Sequence, residues 1–288
     1  MVSKDFSLIH KLREKSISWE VIIGTVDWFA DNDRKLYAGW LIGIGYYTNR
    51  LWLLKDDNKP VDRVVGVIGD IHLPFELEGY LPFIIKNFIK HKVTDIVFIG
   101  DLIDNHSISG HINSTSAMSP VQEYELALEK VKKWTTTFPK AKLCIGNHDS
   151  IPSRQLAELG IPPLFLKDYK SLWNLPKEWE IDVEFVIDDV NYFHGLGSMS
   201  KDGALNTAIF NRMSTVQGHS HSYLGCKYLA NKRDVVFGMN VGCGIDVESY
   251  AMEYGKNYIK KPTLGCGVVY SSVEAYAIPF IESRKLMV

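Results

Sequence analysis

The sequence predicts an α/β protein of mixed α+β character, whose residues from about 61 onward form one domain with two mixed sheets. In the first half, short runs rich in Val and Ile alternate with longer amphipathic segments, which is typical of a parallel sheet with crossing helices. In the second half, shorter strand-like runs are separated by turns, which favours a more antiparallel sheet. A chain of 288 residues that is 46% hydrophobic can bury a large core.

The predicted elements follow one another in a regular order. Ser119 and Pro120 are typical of a helix start, and acidic residues in the first turn with Lys132 and Lys133 near the end suit the helix dipole. The first half therefore reads as strand 63–71, helix 77–91, strand 95–99, helix 121–137 and strand 142–145. The second half reads as strands over 179–187, 190–193, 223–229 and 235–239.

Five short polar patches accompany these elements. They are Asp70-Ile71-His72, Gly100-Asp101-Leu102-Ile103-Asp104, Gly146-Asn147-His148-Asp149, His194-Gly195 and Gly218-His219-Ser220-His221. Each of the first three follows an apolar, β-branched run, so its polar residues lie where a buried strand ends, which is where α/β proteins place their chemistry. Oxygen and nitrogen donors in this mixture suit a pair of divalent transition ions. The patches therefore predict a two-metal hydrolase, against the alternative of helix caps and core histidines.

In this order, the five patches resemble the pattern of the calcineurin-like metallophosphoesterases, D-x-H, G-D-x-x-D, G-N-H-[DE], H and G-H-x-H, over residues 61–288. The resemblance implies an α/β/β/α sandwich of two sheets flanked by helices. It implies two divalent metal ions, Mn or alternatively Fe, Zn, Ni or Co, and attack on phosphorus by a hydroxide that bridges them. One metal would take Asp70, His72 and His221, the other Asn147, His194 and His219, and Asp101 would bridge them.

Three further residues of these patches are assigned catalytic or supporting roles. His148 is expected to act as the general acid, with Asp149 as its orienting partner, although a cap or turn role for Asp149 stays open. Asp104 is expected to accept a hydrogen bond from a ligand histidine. His219 and His221 are expected to alternate along an extended segment, and Gly218 is expected to let the backbone approach closely.

The loop after the second patch gives candidate substrate contacts at Asn105, His106 and His111, with a mobile surface loop as the alternative. The favoured substrate is a phosphodiester bond in a nucleotide or nucleic acid. A phosphomonoester, in a phosphoprotein or a small molecule, is the alternative substrate. A non-catalytic interaction scaffold is the alternative function.

Residues 1–60 precede the first predicted strand and have no counterpart in the minimal family core. Helices are predicted over 6–15, 18–30 and 34–44, followed by a hairpin-like stretch at 46–52, which together resemble a small helix-turn-helix module. Nine Lys or Arg accompany eight Asp or Glu in this segment, a balance that is poor for a DNA-binding module. Packing or homo-oligomer formation is therefore favoured over DNA contact.

The composition of the chain indicates which partners and which cellular compartment to expect. A formal net charge of -2 lacks the basic excess of proteins that grip long duplex DNA. The four cysteines form no C-x-x-C pair, which favours buried, reduced thiols. Neither a signal-peptide core nor an apolar run of about 18 residues is present, so we expect a soluble cytoplasmic protein. Residues 241–268 resemble those of phage- or prophage-encoded members, which would place the protein in the cytoplasm of a host.

Overall fold

The computed structural model describes residues 63–110, 117–232, 234–255, 259–271 and 274–281. The module predicted for residues 1–60 lies outside the described residues, and so does His111. Two mixed β-sheets with helices on their outer faces make up the described part. The predicted fold class is therefore confirmed.

The first sheet contains six strands. They are β1 (Val64–Ile68), β2 (Asp95–Phe98), β3 (Lys142–Cys144), β4 (Glu180–Asp182), β10 (Gly265–Tyr270) and β11 (Glu274–Pro279). Their spatial order is β11-β10-β1-β2-β3-β4. β1, β2 and β3 run parallel as the alternating pattern predicts, and β4, which was assigned to the more antiparallel second half, also runs parallel to β3. β10 joins β1 antiparallel and carries β11 at the sheet edge, so the end of the chain returns to the first sheet.

The second sheet contains five strands. They are β5 (Glu184–Ile187), β6 (Val190–Phe193), β7 (Ser214–Gln217), β8 (Leu224–Ala230) and β9 (Val235–Val241). Their order is β5-β6-β7-β9-β8, in which the two outer pairs are antiparallel and the two inner pairs are parallel. The sheet is therefore mixed, and the antiparallel character predicted for it applies to its outer pairs.

Helices cover the outer faces of the two sheets. They are α1 (Tyr80–Lys90), α2 (Pro120–Thr137), α3 (Ile151–Glu158), α4 (Tyr169–Leu172) and α5 (Gly203–Asn211). Phe88 of α1 and Trp134 of α2 are buried in one cluster with Val64 and Ile68 of β1. α5 lies on the second sheet, where a Cβ on Gly238 of β9 would come within 3.0 Å of the α5 backbone.

Between the sheets lies a second apolar layer, and β1 contributes to both layers because its side chains alternate. Val65 and Val67 point away from the helices and are buried with Val216 and Met239 of the second sheet. Both faces of β1 are thus apolar, as expected for a strand in the middle of a layered α/β domain.

One predicted element proved to be two. The segment 179–187 was expected to be a single strand, but β4 and β5 belong to different sheets and only Val183 separates them. The Asp182 carboxylate accepts a hydrogen bond from the Val183 backbone N–H at 2.7 Å. This local bond competes with strand pairing and marks the point where the chain leaves the first sheet.

All four cysteines are described and are free thiols, three of them buried. Within the described ranges, none of the helices has the length and apolar character that a bilayer crossing requires.

Candidate metal centre

Side chains of the five polar patches meet at one end of the two sheets. The patches follow β1, β2 and β3 in the first sheet and β6 and β7 in the second, all at the carboxyl ends of strands that run parallel to a neighbour. Parallel strands place their carboxyl ends at one edge, so residues distant in sequence converge there. Asp70, His72, Asp101 and His194 are almost completely buried at this point.

One group of donor atoms comes from Asp70, His72, Asp101 and His221, and these atoms all lie within 4.8 Å of one another. The His221 Nε2 atom is 3.0 Å from Asp70 Oδ2 and 3.1 Å from His72 Nε2. His72 Nε2 is in turn 3.6 Å from Asp101 Oδ2. The group can hold one cation with two carboxylates and two imidazoles.

A second group of donor atoms comes from Asp101, His194 and His219. His194 Nε2 lies 3.1 Å from Asp101 Oδ2, 3.1 Å from His219 Nδ1 and 3.0 Å from the side-chain oxygen of Asn147. Asp101 belongs to both groups and lies between them. The structure thus brings together all seven predicted metal ligands.

Hydrogen bonding fixes which ring nitrogens are free to bind a cation. His194 Nδ1 lies 3.1 Å from the carbonyl oxygen of Ile99, which can only accept, so Nδ1 carries the proton of the neutral ring. The lone pair of His194 Nε2 then faces the oxygens of Asp101 and Asn147. Two acceptor oxygens around a lone pair repel it unless a proton or a cation lies between them. His72 Nδ1 likewise donates to Asp104 at 2.6 Å, so the Nε2 lone pair of His72 is left facing Asp101 Oδ2 and His221 Nε2.

The pKa values of this cluster follow from the same crowding. Burial alone would lower the pKa of His194, but the charge of Asp101, the hydrogen bond to it and the charge of Asp70 raise that pKa to about 9. Burial would raise the pKa of Asp101, yet His194, His72 and His148 hold it far below its usual range. Without metal, protons therefore supply the positive charge. Asp70 Oδ1, buried with no hydrogen-bond partner among the described residues, also fits a cation ligand.

His148 lies beside the ligands and is paired with Asp104. Its Nδ1 donates to the Asp104 backbone carbonyl at 2.7 Å and lies 3.0 Å from the Asp104 carboxylate. Burial would lower the pKa of His148, but the hydrogen bond to the Asp104 carboxylate and the charges of Asp101 and Asp104 raise the pKa to about 10. Because Nδ1 is used, Nε2 is the nitrogen of His148 that can give a proton to a bound molecule.

Asp149 has a different environment from the one expected. Its carboxylate accepts hydrogen bonds from the backbone N–H groups of Gly146 at 2.9 Å and Ile103 at 3.1 Å, and from the Tyr169 hydroxyl at 2.6 Å. Burial and the charge of Asp101 raise the pKa of Asp149. The carboxylate that contacts His148 is Asp104, so Asp149 holds the loop that carries His148 instead of orienting its ring. This agrees with the turn role that the sequence left open.

The candidate substrate contacts that the structure describes lie below the surface. Asn105 is 8% exposed, and its amide donates to the backbone carbonyl of His148 at 2.9 Å. His106 is 4% exposed and packs edge-on against the rings of Phe75 and Tyr250. At these two positions the loop is therefore part of the packed structure, and the alternative of a mobile surface loop does not describe them.

Glu123 is the acidic residue in the first turn of α2. Glu123 is in fact buried, and its two carboxylate oxygens accept the backbone N–H groups of His106 and Ser107 at 2.7 Å each. It thereby fixes the loop that follows Asp104. A sequence signal existed, because Glu123 shares the buried stripe of α2 with Ala127, Val131 and Trp134.

Glycines lie directly behind three ligands. A Cβ on Gly146 would come within 3.0 Å of the Asp101 carboxylate, and one on Gly218 would come equally close to Asp70. Gly100, at φ +108°, leaves room in the same way for the ring of His194. The glycines of these patches thus allow the close approach that was predicted for Gly218.

The last patch does not form the extended segment that was expected. His219 has a φ of 61°, and the N–H groups of Ser220 and His221 donate back to the carbonyl groups of Gly218 and His219. The segment is a tight turn, so the turn and not strand alternation directs His219 and His221 to different groups of ligands.

The comparison with protein-family models agrees with these motifs. The protein-family model described as calcineurin-like phosphoesterase matches residues 63–242. No curated protein sequence matches the chain. Among solved structures, a Vps29 single mutant from Entamoeba histolytica is similar at 12% identity and TM-score 0.36, covering 76% of this chain and 99% of that one. The phosphoesterase Yfce from E. coli is similar at 14% identity and TM-score 0.32, covering 75% and 99%.

The glycine behind Asp101 can be tested by substitution. Gly146→Ala should push the Asp101 carboxylate out of place and cost the protein at least one bound metal ion, measured by elemental analysis after loading with excess Mn and desalting. Overpacking of this kind also costs about 1–3 kcal/mol of stability. Gly110→Ala is the control, since no atom of the described residues lies within 4 Å of a Cβ there. Full metal content in Gly146→Ala would contradict the proposed packing.

The raised histidine pKa values predict how stability depends on pH in protein stripped of metal by a chelator. His194 and His148 have folded-state pKa values of about 9 and about 10, above the roughly 6.5 of an unfolded chain. Their stabilisation is complete below about pH 6.5 and is lost as the pH rises through the folded values. The melting temperature should therefore fall between pH 6.5 and 8.5, and less steeply in His194→Gln. A melting temperature that rises over this range would refute the assignment.

Proposed function

The chain belongs to the calcineurin-like phosphoesterase family, and on this premise we propose that it hydrolyses phosphodiester bonds of a nucleotide or nucleic acid. Its family and its clustered Asp and His side chains identify it as a metal-dependent phosphoesterase. The observation that carries the proposal is the presence of two donor groups that share one buried carboxylate, Asp101. A shared carboxylate is what a two-metal phosphoesterase requires, since it has two oxygens and a negative charge for two cations.

We assign the ligands from these two groups. Asp70, His72 and His221 would hold one cation, while Asp101 would contact both. The second cation would take the three ligands on the other side of Asp101, which are Asn147, His194 and His219. When bound, divalent ions supply a water of lowered pKa and positive charge against the phosphoryl oxygens. Mn is the ion we favour, with Fe, Zn, Ni and Co as alternatives that accept the same donors.

His148 would provide the proton that the leaving oxygen needs. Asp104 accepts from Nδ1 of His148 and holds the ring in place, so Nε2 carries the proton that is transferred. The pKa of His148, raised to about 10, keeps the ring cationic near neutral pH until transfer. Bound cations would lower this pKa towards the range where proton transfer is efficient, because like charges disfavour the protonated ring.

Asp104 and Asp149 would position other side chains of the site and would not contact the reacting atoms. Asp104 contacts both His72 and His148, and so links a metal ligand to the proton donor. Asp149 holds the loop of His148 through Gly146 and Ile103. A shift of either carboxylate would therefore displace the proton donor relative to the metals.

The favoured substrate class rests on the space beside the ligands. A groove of about 800 Å³ extends from Asp101 and His148 past His221 along the last third of the chain. A phosphodiester carries a substituent on each side of phosphorus, and the groove can accept one of them. A phosphomonoester on a small molecule or a phosphoprotein is the alternative substrate.

The origin of the protein from a phage or prophage stays a prediction from residues 241–268.

The proposal is tested by a substrate screen of metal-reconstituted protein. The substrates are bis(p-nitrophenyl) phosphate, p-nitrophenyl phosphate, cyclic nucleotides, and single- and double-stranded DNA. We expect the diesters to be hydrolysed faster than p-nitrophenyl phosphate. Faster hydrolysis of the monoester would favour the alternative substrate, and no hydrolysis by protein with full metal content would favour an interaction scaffold.

The bridging role of Asp101 predicts the effect of an isosteric substitution. Asp101→Asn keeps an oxygen for the backbone N–H of His148, which Asp101 Oδ1 accepts at 2.8 Å, but removes the charge that two cations share. We expect loss of at least one ion and of nearly all activity with a retained fold, read by elemental analysis and circular dichroism. A wild-type protein that never binds more than one ion per chain would exclude the two-metal assignment.

The proton-donor role of His148 predicts a dependence on the leaving group. His148→Ala should retain its metals and much of its activity on p-nitrophenyl esters, whose phenolate leaves without a proton. On a dinucleotide, with its basic alkoxide leaving group, the loss should approach the roughly 10²- to 10⁴-fold typical of general acids. His219→Ala removes a ligand and should lower both activities alike. Equal losses in a His148→Ala protein with full metal content would favour charge stabilisation over proton transfer.

A further inference from the structure

The wall of the groove beside the metal ligands contains apolar and aromatic side chains, which a site that binds only phosphate would not need. Its side chains away from the ligands include Tyr223, Ile245, Val247 and Leu264, and its exposed rim carries two lysines, Lys260 and Lys261, against one carboxylate, Glu248. Phosphate alone needs no apolar surface. The wall suits a substituent with an apolar, flat face that also carries negative charge.

The wall is rigidly joined to the loops that carry metal ligands. Gly244 donates its N–H to the Asp70 carbonyl at 2.8 Å, which places Ile245 next to the first patch. Thr263 donates its N–H to the His221 carbonyl at 2.7 Å, which places Leu264 and the two lysines beside the last patch. A group bound against this wall is therefore held at a fixed distance from the reacting phosphorus.

The apolar wall is also backed by its own core. Ile245 is buried in a cluster with Phe75, Cys243 and Met252, and Val247 and Leu264 pack against that cluster. Support of this kind keeps the surface in one shape before a ligand arrives, which reduces the entropy lost on binding.

Tyr223 is positioned by Lys260. The Lys260 ammonium donates to the Tyr223 hydroxyl at 2.8 Å and lies 5.3 Å from the ring centroid. The backbone N–H of Tyr223 donates to Ser220, in the turn between the two ligand histidines. The hydroxyl and the backbone of Tyr223 are thus both hydrogen-bonded. An aromatic ring beside a cation is a typical surface for stacking a nucleobase next to its phosphate.

We infer that this groove binds a nucleoside of the substrate, with the base against Tyr223 and the apolar wall and a further phosphate near Lys260 and Lys261. The inference rests on the proposed phosphodiester hydrolysis and names the part of the substrate that selects it. The Tyr223 ring is the residue that determines specificity, and the lysines favour substrates longer than one nucleotide.

The experiment compares substrates that share one leaving group. Thymidine 5′- and 3′-(p-nitrophenyl phosphate) are measured against methyl p-nitrophenyl phosphate, so that only the nucleoside differs. In the wild-type protein we expect kcat/KM to be about tenfold or more higher for at least one nucleoside ester, the size that stacking one base on an aromatic ring supplies. A ratio near one would overturn the inference while leaving the hydrolytic function intact.

Variants then locate the nucleoside. Tyr223→Ala should lose most of the ratio, while Tyr223→Phe, which keeps the ring, should retain it. The ratio is insensitive to the folded fraction because both substrates are measured on one preparation. Tyr276→Ala, at a half-exposed tyrosine on β11, is the control and should keep the wild-type ratio. An unchanged ratio in Tyr223→Ala would show that the nucleoside binds elsewhere and would overturn the inference.

Calorimetry shows whether the groove assignment or the proposed hydrolysis is the part that is wrong. Thymidine 5′-monophosphate should bind the metal-loaded protein about tenfold or more tightly than methyl phosphate does, and Tyr223→Ala should reduce this difference. If neither ester is hydrolysed but the binding preference is present, the proposed hydrolysis fails and the groove assignment stands. If the two phosphates bind equally well, the groove assignment fails.

Discussion

Four buried carboxylates in one small region are the constraint on which the rest of this structure depends. Asp70, Asp101, Asp104 and Asp149 are each no more than 4% exposed. Burial of an ionised carboxylate costs several kcal/mol unless donors or cations surround it. The structure surrounds these carboxylates with histidines from four strand ends, those of β1, β3, β6 and β7. At His194, whose pKa is raised to about 9, a bound cation would replace the proton that the ring holds in the metal-free protein. The affinity of the site for metal ions and the shifted pKa values of its side chains are therefore two consequences of a single arrangement.

The backbone of the ligand loops adopts left-handed conformations at three of the residues in this arrangement. His72, Asp101 and His219 all have positive φ values between 47° and 61°, a conformation that costs non-glycine residues about 1–3 kcal/mol each. At one of these bends His219 donates its backbone N–H to Asp70 at 2.7 Å. His148, whose φ is not positive, likewise donates its backbone N–H to Asp101 at 2.8 Å. Strain in the ligand loops thus provides part of the charge compensation, and it persists because the packed sheets below hold each loop.

Sequence reasoning identified what is encoded locally. The polar patches, the strands before them and the start of α2 at Ser119 depend on neighbouring residues, and the fold class followed from their order. Two features that the sequence did not reveal depend on distant partners. Asp149 could not be placed because Tyr169 and Ile103 are remote in sequence. The return of β10 to pair with β1 was likewise invisible, since a pairing across about 200 residues has no signal in either strand alone.

Because β10 returns to pair with β1, the C-terminal part of the chain lies beside the metal ligands. β10 pairs with β1 along its full length, and the segment before β10 is bonded to the loops of Asp70 and His221. The wall of the groove is therefore built on the ligand loops yet contributes no ligand. Substitutions on its exposed side chains can change which substituent binds without altering the buried charges that hold the metals. On the proposed assignment, the metal ligands would act on a reacting centre that monoesters and diesters share, and the wall would select what is attached to it.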